Sequence, residues 1–384
     1  MNDGDCHYFS SFREVFLLAT KLRDGLTTGT CAAAALKAAL MFLLSGELPA
    51  TVQVKNPQGQ FLEMPIEGGK VLSASSAIAW TLKDAGDDID VTHGAKVCVR
   101  LSLYDGDAVE YIAGEGVGIA KKPGLFVPVG EPAINPGPRQ MMKYVLDDLL
   151  PAGKSAQITI SVPGGQALAE KTLNPMLGIE GGISIIGTTG IVRPMSEEAF
   201  RESLVQQYSV LRECSIRIPI LVPGKIGENI ALKYGIKSEH LVQTSNFIGF
   251  MLDKAVEYGF KELIIFGHVG KLIKLAGGIF HTHSHVADGR QEIFAAYLAL
   301  LGAHQSFIEK ILASNTTEAI LLLVNKHGYD DVYKLLAKQA AKRCCQYVKN
   351  SICAGVVLVD IEGNILAMDE NAKKIGEKIK WHTS

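Results

Sequence analysis

The 384-residue sequence lacks several features that mark large classes of protein. Its 38 Lys and Arg nearly balance 40 Asp and Glu. There is thus no excess of positive charge for binding nucleic acid or an anionic membrane surface. Seven Cys are present but no Cys-x-x-Cys pair. That pattern argues against a disulfide framework or a structural zinc site, and it favours a reducing, cytoplasmic compartment.

Long hydrophobic runs are also missing. The longest apolar stretch, from Cys31 to Leu44, is interrupted by Lys37 and is too short and too charged to span a bilayer. Residues 1–20 do not have the basic start of a secretory signal, and we interpret them as an N-terminal extension. These observations predict a protein without a membrane partner.

Common catalytic and nucleotide-binding motifs are absent as well. The sequence contains no Walker phosphate-binding motif, no Gly-x-Ser-x-Gly elbow and no evident pair of catalytic carboxylates. A hydrophobic content of 47% is nevertheless ordinary for a globular protein. The chemistry is therefore expected to depend more on positioning a substrate than on strong acid or base groups.

The sequence pattern of residues 21–150 predicts an α+β domain. An Ala-rich helix is predicted after Thr30, which we take as its N-cap. Predicted strands in this region are Thr51–Lys55, Phe61–Ile66 and Lys96–Leu103. We expect this α+β domain to pack on the domain that follows it.

Residues 151–290 are predicted to form a Rossmann-like domain with a largely parallel sheet, because short apolar runs alternate with helical segments. The runs are Gln157–Val162, Ile183–Ile186, Ile218–Val222, Leu241–Thr244 and Leu263–Phe266. Residues 291–384 are predicted to be helical and to end in a hairpin over 355–368 that packs on the core, followed by a charged tail. Ligands of such sheets lie at the carboxyl ends of the strands.

The first candidate site is the Thr27-Thr28-Gly29-Thr30 segment at the start of the Ala-rich helix. Free backbone N–H groups and the helix dipole at such a position can bind a carboxylate or phosphate. The alternative is a simple capped helix with a glycine turn.

The second candidate is the turn Gly187-Thr188-Thr189-Gly190, which follows an apolar run. Glycine there would let the backbone approach a ligand closely, and the nearby Arg193 could hold a carboxylate in a bidentate pair. The alternative is an ordinary strand, loop and helix.

The long Pro- and Gly-rich loop over 121–139 also has two interpretations. It carries Lys122, Asn135 and Arg139, and a loop of this length often lines a site. A surface loop is the alternative.

A third candidate is the Gly-rich region around Lys271 and Lys274, whose ammonium groups could meet substrate carboxylates. It is followed by His281, His283 and His285 at alternate positions. Such spacing can serve a transition metal, but no Cys accompanies it. Loop histidines that contact a ligand or solvent are the alternative, and we predict no protein-bound metal.

Ordered blocks along the chain resemble the CbiD family, the cobalt-precorrin-5B C(1)-methyltransferases of anaerobic cobalamin biosynthesis. The blocks begin with Leu22–Ala34 and end near residue 290. Between them the matching segments are Gly116–Gly118, Lys122–Leu125, Pro132–Pro136, Val162–Gly165, Leu173–Pro175, Gly178–Ile179, Gly182–Val192, Gly270–Lys271, Lys274–Gly278 and Thr282–Ser284.

The resemblance implies transfer of a methyl group from S-adenosylmethionine to C-1 of a cobalt corrinoid, giving cobalt-precorrin-6A. Cobalt would enter only as part of the substrate. The Gly187–Gly190 turn is then the expected contact for S-adenosylmethionine, and His283 the expected catalytic residue. The expected substrate-binding residues are Thr27, Thr28, Gly29, Thr30, Lys122, Asn135, Arg139, Arg193, Lys271, Lys274, Thr282 and Ser284.

Two other functions stay open at this point. A small-molecule kinase could use the Gly-rich loops for phosphate, although the missing Walker motif argues against it. A non-enzymatic corrinoid-binding protein would bind the substrate without the methyl donor. The oligomeric state is also open, and a homo-oligomer is compatible with the sequence.

Overall fold

The computed structural model describes residues 22–194 and 196–381, which form two compact units. The first unit contains the chain up to Ile119, then Glu131–Thr172 and Gly181–Ser196. The second contains Ala120–Gly130, Leu173–Glu180 and the chain from Glu197 onward. The chain therefore passes from one unit to the other several times. The predicted N-terminal extension lies outside the described residues.

The first unit combines a mixed sheet with two longer helices. Its strands are β1 (Gly25–Leu26), β2 (Thr51–Lys55), β3 (Phe61–Pro65), β4 (Gly68–Ser73), β5 (Ser76–Leu82), β6 (Lys96–Asp105), β7 (Val109–Ala113), β8 (Gly116–Val117), β9 (Ile119–Ala120, at the unit boundary), β10 (Lys154–Ser161), β12 (Gly182–Ile183) and β13 (Ile191–Val192). Its helices are α1 (Thr28–Ser45), α2 (Pro136–Leu149) and the short α3 (Gly165–Ala169).

The main sheet of this unit has the strand order β4-β5-β6-β10-β7. All neighbours are antiparallel except β10 and β7, which are parallel. Strands β2 and β3 form the predicted antiparallel hairpin. The α+β character predicted for the first region is therefore confirmed in its elements.

Helix α1 forms the centre of the first core. Its Ala-rich face is fully buried together with Cys31, Leu36 and Leu40, and the small side chains allow close contact with strands β5 and β6 and with helix α2. By length and composition alone the helix could cross a membrane, but 67% of it is buried inside the protein. A mostly buried core helix also meets this criterion of length and composition.

The second unit contains more helices than the first. Its strands are β11 (Ile179–Glu180), β14 (Ile220–Val222), β15 (Leu241–Gln243), β16 (Glu262–His268), β17 (Cys353–Val359) and β18 (Ile365–Met368). Its helices are α4 (Asn174–Leu177), α5 (Glu197–Glu213), α6 (Lys225–Lys233), α7 (Ile248–Glu257), α8 (Val269–Ala276), α9 (Arg290–Leu300), α10 (Gln305–Leu312), α11 (Thr317–Lys326), α12 (Asp331–Tyr347) and α13 (Glu370–Lys378).

The sheet of the second unit has the order β15-β14-β16-β17-β18. The first four strands are parallel, and β18 is an antiparallel edge strand. Alternate residues enter separate cores: Leu221 and Ile265 pack with α7, α8 and α12, whereas Ile220 and Ile264 pack with α6 and α13. Helices therefore cover both faces, which explains why these strands are nearly continuous in hydrophobicity.

Three details of the predicted fold were wrong. The N-cap of α1 is Thr27 instead of Thr30. The predicted strand Gln157–Val162 does form, as β10, but it pairs with β6 and β7 in the first unit's sheet and not with the parallel sheet. The predicted strand Ile183–Ile186 is shortened to β12, which pairs with β8 in the first unit and not with the parallel sheet. The predicted charged tail is present, and it forms helix α13, whose buried Ala372 and Ile375 pack on the second sheet. Residue 150 lies inside the first unit.

Candidate functional site

A cleft opens where parallel strands of the second unit end. Strands β15 and β16 end at Gln243 and His268, and because they run in the same direction, the residues that follow them lie at one edge of the sheet. The cleft has a volume of about 490 Å³. Its lining residues are Asn246, His268, Gly270, Lys271, Lys274, Thr282, His283, Ser284, Arg290, Asn315, Thr316, Thr317 and Glu318.

This cleft brings together five residues that sequence reasoning assigned to the site: Lys271, Lys274, Thr282, His283 and Ser284. The two lysines come from helix α8, and the other three come from the loop that follows it. The family-like blocks at 270–278 and 282–284 therefore meet in space as well as in sequence.

The ammonium group of Lys271 faces this cleft without a carboxylate partner. Its Nζ donates a hydrogen bond to the carbonyl oxygen of Pro223 at 2.9 Å. No ion pair joins Lys271 to any acid within residues 22–194 or 196–381. Burial, and then the neighbouring charge of Lys274, lowers the pKa of Lys271. An anionic group entering the cleft would neutralise this half-buried charge.

Lys274 lies deeper and holds the histidine loop in place. Its side chain is 3% exposed and its Nζ donates to the carbonyl oxygens of Thr282 at 3.1 Å and Ala287 at 2.8 Å. Burial lowers its pKa, although Asp288 at 3.9 Å acts in the opposite direction. Lys274 is thus a support for the loop as much as a candidate for binding.

The guanidinium of Arg290, which is paired with Asp288, adds a positive charge to the lining of the cleft. Arg290 begins helix α9 and binds Asp288 through two nitrogens, with Nε to Oδ1 at 2.8 Å and Nη2 to Oδ2 at 2.7 Å. The hydrogen bonds from Arg290 lower the pKa of Asp288 to about 2. Arg290 Nη1 also donates to Thr317 Oγ1 at 3.4 Å. Sequence reasoning had missed Arg290.

The three loop histidines do not converge on one point. His281 Nε2 lies 2.7 Å from Glu197 Oε1, whereas His283 Nδ1 accepts a hydrogen bond from the backbone N–H of His285 at 3.2 Å. His283 and His285 are exposed, with ring centroids 5.0 Å apart. In the described part of the chain, no group of three or more His, Cys, Asp or Glu side chains could hold a metal ion.

His268 is a further residue that sequence reasoning overlooked. It is the last residue of β16 and caps helix α8, because its Nδ1 accepts from the backbone N–H of Gly270 at 3.2 Å. A Cβ on Gly270 would lie 2.9 Å from Thr317 Oγ1, so the missing side chain lets the start of α11 approach closely. The signal was the histidine at the strand end, directly before Val269-Gly270-Lys271.

The predicted anion site and the predicted cofactor turn meet each other in the first unit. The backbone N–H of Thr27 donates to the carbonyl oxygen of Gly190 at 3.1 Å, and Gly29 N–H donates to that of Ile186 at 2.9 Å. Thr30 Oγ1 donates to the Gly190 carbonyl at 2.6 Å. Thr28 Oγ1 accepts from Ile186 N–H at 2.9 Å.

These bonds occupy the polar groups that had suggested an anion site. Thr27 also caps α1 by accepting from Thr30 N–H at 3.2 Å. A Cβ on Gly187 would lie 2.2 Å from Thr27 Oγ1, so the close approach that glycine permits here is to the chain itself. The geometry fits the capped-helix alternative better. Only the side chains of Thr188 and Thr189 are exposed in this turn.

The remaining predicted residues are distributed over both units. Arg139 donates through Nη2 to Glu131 at 2.6 Å and lies over the ring of Tyr111. Asn135 precedes helix α2 and makes no side-chain capping bond. Arg193 is exposed after β13. The cleft therefore gathers some of the predicted residues but not these.

Lys122 lines a different, smaller cavity of the second unit. Its neighbours there include Met176, Gln207 and Leu241. Its side chain packs over Gly178, where a Cβ would meet Lys122 Cγ at 2.4 Å. The structure therefore does not place Lys122 in the cleft.

Comparison with known proteins identifies similar sequences over nearly the full chain. A family model described as CbiD matches residues 17–194, and one described as the C-terminal domain of CbiD matches residues 281–370. A protein of Thermoanaerobacter sp. (strain X514), named cobalt-precorrin-5B C(1)-methyltransferase, is 45% identical over 94% of this chain and 97% of its own. Proteins with the same name from Moorella thermoacetica and Methanocaldococcus jannaschii are also 45% identical, over 93% and 90% of this chain and 98% and 96% of their own.

A solved structure is also similar to this chain. It is described as a cobalamin biosynthesis protein (cbiD) from Archaeoglobus fulgidus, and it is 26% identical in sequence. The match covers 67% of this chain and 80% of that chain, with a TM-score of 0.35.

Proposed function

The chain belongs to the CbiD family, and on that premise we propose that it methylates C-1 of cobalt-precorrin-5B in anaerobic cobalamin biosynthesis. The curated relatives are named methyltransferases. The observation that carries the proposal is identity of 45% over almost the whole length of both chains.

We propose S-adenosylmethionine as the methyl donor, which supplies an electrophilic methyl group on a positively charged sulfur. The macrocycle carbon provides the electron pair of the new carbon–carbon bond, and the carbon–sulfur pair stays on S-adenosylhomocysteine. The substrate loses a proton, and the product is cobalt-precorrin-6A. Such a displacement gains most from holding the two carbons in line at about 3–3.5 Å.

The cleft of the second unit supports binding of a polycarboxylate substrate. We interpret the parallel sheet as Rossmann-like, with the cleft beside the point where the strand order reverses at β14. Lys271 lacks an acidic partner within the described ranges, and Arg290 and Lys274 lie beside it. Corrinoid side chains carry carboxylates, which these positively charged side chains would bind. Thr282, His283 and Ser284 line the same cleft.

The Gly187–Gly190 turn stays the proposed contact for the methyl donor, but only part of the turn is free to make that contact. Its backbone is tied to α1 and, through Asn56 Nδ2 to the Thr189 carbonyl at 2.8 Å, to the end of β2. A donor molecule would therefore contact the exposed side chains of Thr188 and Thr189. His283 remains the proposed residue for orienting the substrate or moving its proton, since it is exposed and lines the cleft.

The relatives do not favour the two other functions considered from sequence, a small-molecule kinase and a non-enzymatic corrinoid-binding protein. We place the reaction in the cytoplasm, with the corrinoid as the only partner that it needs and cobalt as part of the substrate.

A labelled transfer assay tests the function. The protein is incubated with S-adenosylmethionine carrying a ¹³C methyl group and with cobalt-precorrin-5B. We expect S-adenosylhomocysteine and a corrinoid that has gained one labelled methyl group, located at C-1 by NMR. ATP in place of the donor is the control. Label at another carbon, or consumption of ATP without methylation, would contradict the proposal.

A further inference from the structure

The two ring nitrogens of His268 differ: within the described residues, Nδ1 makes a hydrogen bond and Nε2 makes none. Nδ1 accepts the N–H of Gly270 at 3.2 Å. A ring nitrogen that accepts a hydrogen bond keeps its lone pair, so the neutral ring carries its proton on Nε2. Helix capping therefore fixes His268 as a donor through Nε2–H.

That Nε2 atom is buried and makes no hydrogen bond within the described part of the chain. Leaving a buried donor unpaired is unfavourable, and an exception of this kind calls for an explanation. The nearest acidic atom is Glu318 Oε1 at 3.4 Å, which does not have hydrogen-bonding geometry. Glu318 is 44% exposed and lies in the first turn of α11.

The surroundings keep this donor neutral and next to positive charge. Burial lowers the pKa of His268, and Arg290 acts in the same direction, whereas Glu318, Asp360 and Glu362 act against it. Lys271, three residues further along the chain, lines the same cleft. A cleft that holds both a neutral N–H and an ammonium group without a described carboxylate partner suits a carboxylate ligand, which needs both a donor and a charge.

We infer that His268 is a substrate-binding residue: its Nε2–H donates to a carboxylate of the corrinoid side chains, and Glu318 lies close to that position in the unliganded protein. The inference rests on the proposed function for the identity of the substrate. It adds a residue that the sequence had not indicated. It also assigns Glu318 a competing role, since its carboxylate and that of the substrate would seek the same donor.

Two substitutions separate binding from structure. His268→Asn keeps a side-chain oxygen that can accept from Gly270 N–H but removes the Nε2 donor. We expect KM for cobalt-precorrin-5B to rise about tenfold or more, with a smaller change in kcat and little change in the thermal unfolding midpoint. Glu318→Gln removes the competing charge while preserving shape, and we expect KM to fall.

A stable probe gives a second readout. Cobyrinic acid, a cobalt corrinoid with free carboxylates, is titrated by calorimetry against its neutral methyl ester. We expect the wild-type protein to prefer the acid, and His268→Asn to reduce that preference. In the unliganded protein, NMR of ¹⁵N-labelled histidine should show the proton of the His268 ring on Nε2.

The outcomes distinguish the two proposals. Absence of methyl transfer by the wild-type protein would refute the proposed function, and this inference with it. An active protein in which His268→Asn lowers the unfolding midpoint but leaves KM unchanged would overturn the inference alone. So would a KM that rises in Glu318→Gln, or a proton found on Nδ1.

Discussion

At the scale of single residues, the charge of Lys271 is the feature of the cleft that an anionic substrate would use most directly. Its ammonium group is half-buried, and its described hydrogen-bond partner is the neutral carbonyl of Pro223. Lys274, by contrast, already binds two carbonyls and approaches Asp288. The two lysines are three residues apart in sequence but share neither a hydrogen-bond partner nor a role, so their substitutions should have different effects.

Replacing Lys271 by Met should weaken corrinoid binding about tenfold, because a charge-assisted contact contributes about 1.5–3 kcal/mol. The measurement is the dissociation constant for cobyrinic acid by calorimetry. Lys326→Met is the matched control, since Lys326 is an exposed lysine at the far end of α11. Equal effects of both substitutions would mean that overall charge, and not the cleft, governs binding.

A second prediction at the residue scale concerns Asp288 and the pH dependence of the stability of the folded state. Its pKa is about 2 in the folded protein, below the ordinary 3.8, because of the hydrogen bonds from Arg290. A depressed pKa stabilises the folded state above the ordinary value, and that contribution disappears as pH falls from about 4 to 2. The side chain is 36% exposed, so the contribution should be no more than about 1 kcal/mol.

Asp288→Asn should remove that pH dependence. We expect the difference in unfolding free energy between the variant and the wild-type protein to shrink as pH is lowered from about 4 to 2, measured by urea denaturation. A difference that stays constant across this range would show that the Asp288–Arg290 pair does not titrate as described.

At the scale of elements, the contact between the start of α1 and the Gly187–Gly190 turn joins two segments far apart in sequence. Gly187 has φ of +145° and lies against Thr27, while Gly190 lies against Thr30. The glycines are needed because backbone and side chain pack without room for a Cβ. The turn is therefore a structural junction, whatever ligand its threonines contact.

Gly187→Ala should destabilise the protein by about 2–4 kcal/mol, because the new Cβ would overlap Thr27 and the backbone conformation disfavours alanine. Gly153→Ala is the control, since Gly153 also has positive φ (+74°) but nothing within 4 Å of an added Cβ. It should cost only about 1 kcal/mol. Thermal unfolding measures both. Equal midpoints would show that the overlap relaxes without cost.

At the scale of the whole molecule, the order of strands determines which pieces of chain can fold. Strand β10 lies between β6 and β7 in the first sheet. A chain ending at residue 150 would lack it, and β6 and β7 would have no common neighbour. The first unit is completed only at Ser196.

We therefore expect a fragment of residues 22–150 to be unfolded or aggregated, since it would expose the edge of β6. A fragment of residues 22–196 should show cooperative thermal unfolding by circular dichroism. Cooperative unfolding of the shorter fragment would contradict the assignment of β10 to this sheet.

Much of this protein could be predicted from local sequence. Alternation and apolar runs predict strands such as β2, β3 and β16, and the Ala-rich run predicts α1, because secondary structure follows the periodicity of buried side chains. The family resemblance also follows from the order of short blocks, and the relatives confirm it. Lys271 and Lys274 were found because they stand after a strand in a Gly-rich segment.

The tertiary structure alone decided which sheet β10 joins and which groups are already satisfied. Periodicity indicates that Gln157–Val162 is a strand but not its neighbours, which come from pairing with distant residues. Likewise, Thr27 and Gly187 look like ligand-binding groups until the structure shows that Thr27 donates to Gly190 and packs against Gly187. His268, by contrast, gains significance only because its Nε2 makes no hydrogen bond within the described residues. A hydrogen-bond donor has the same chemistry everywhere, and only its neighbours in space decide whether it is free to bind.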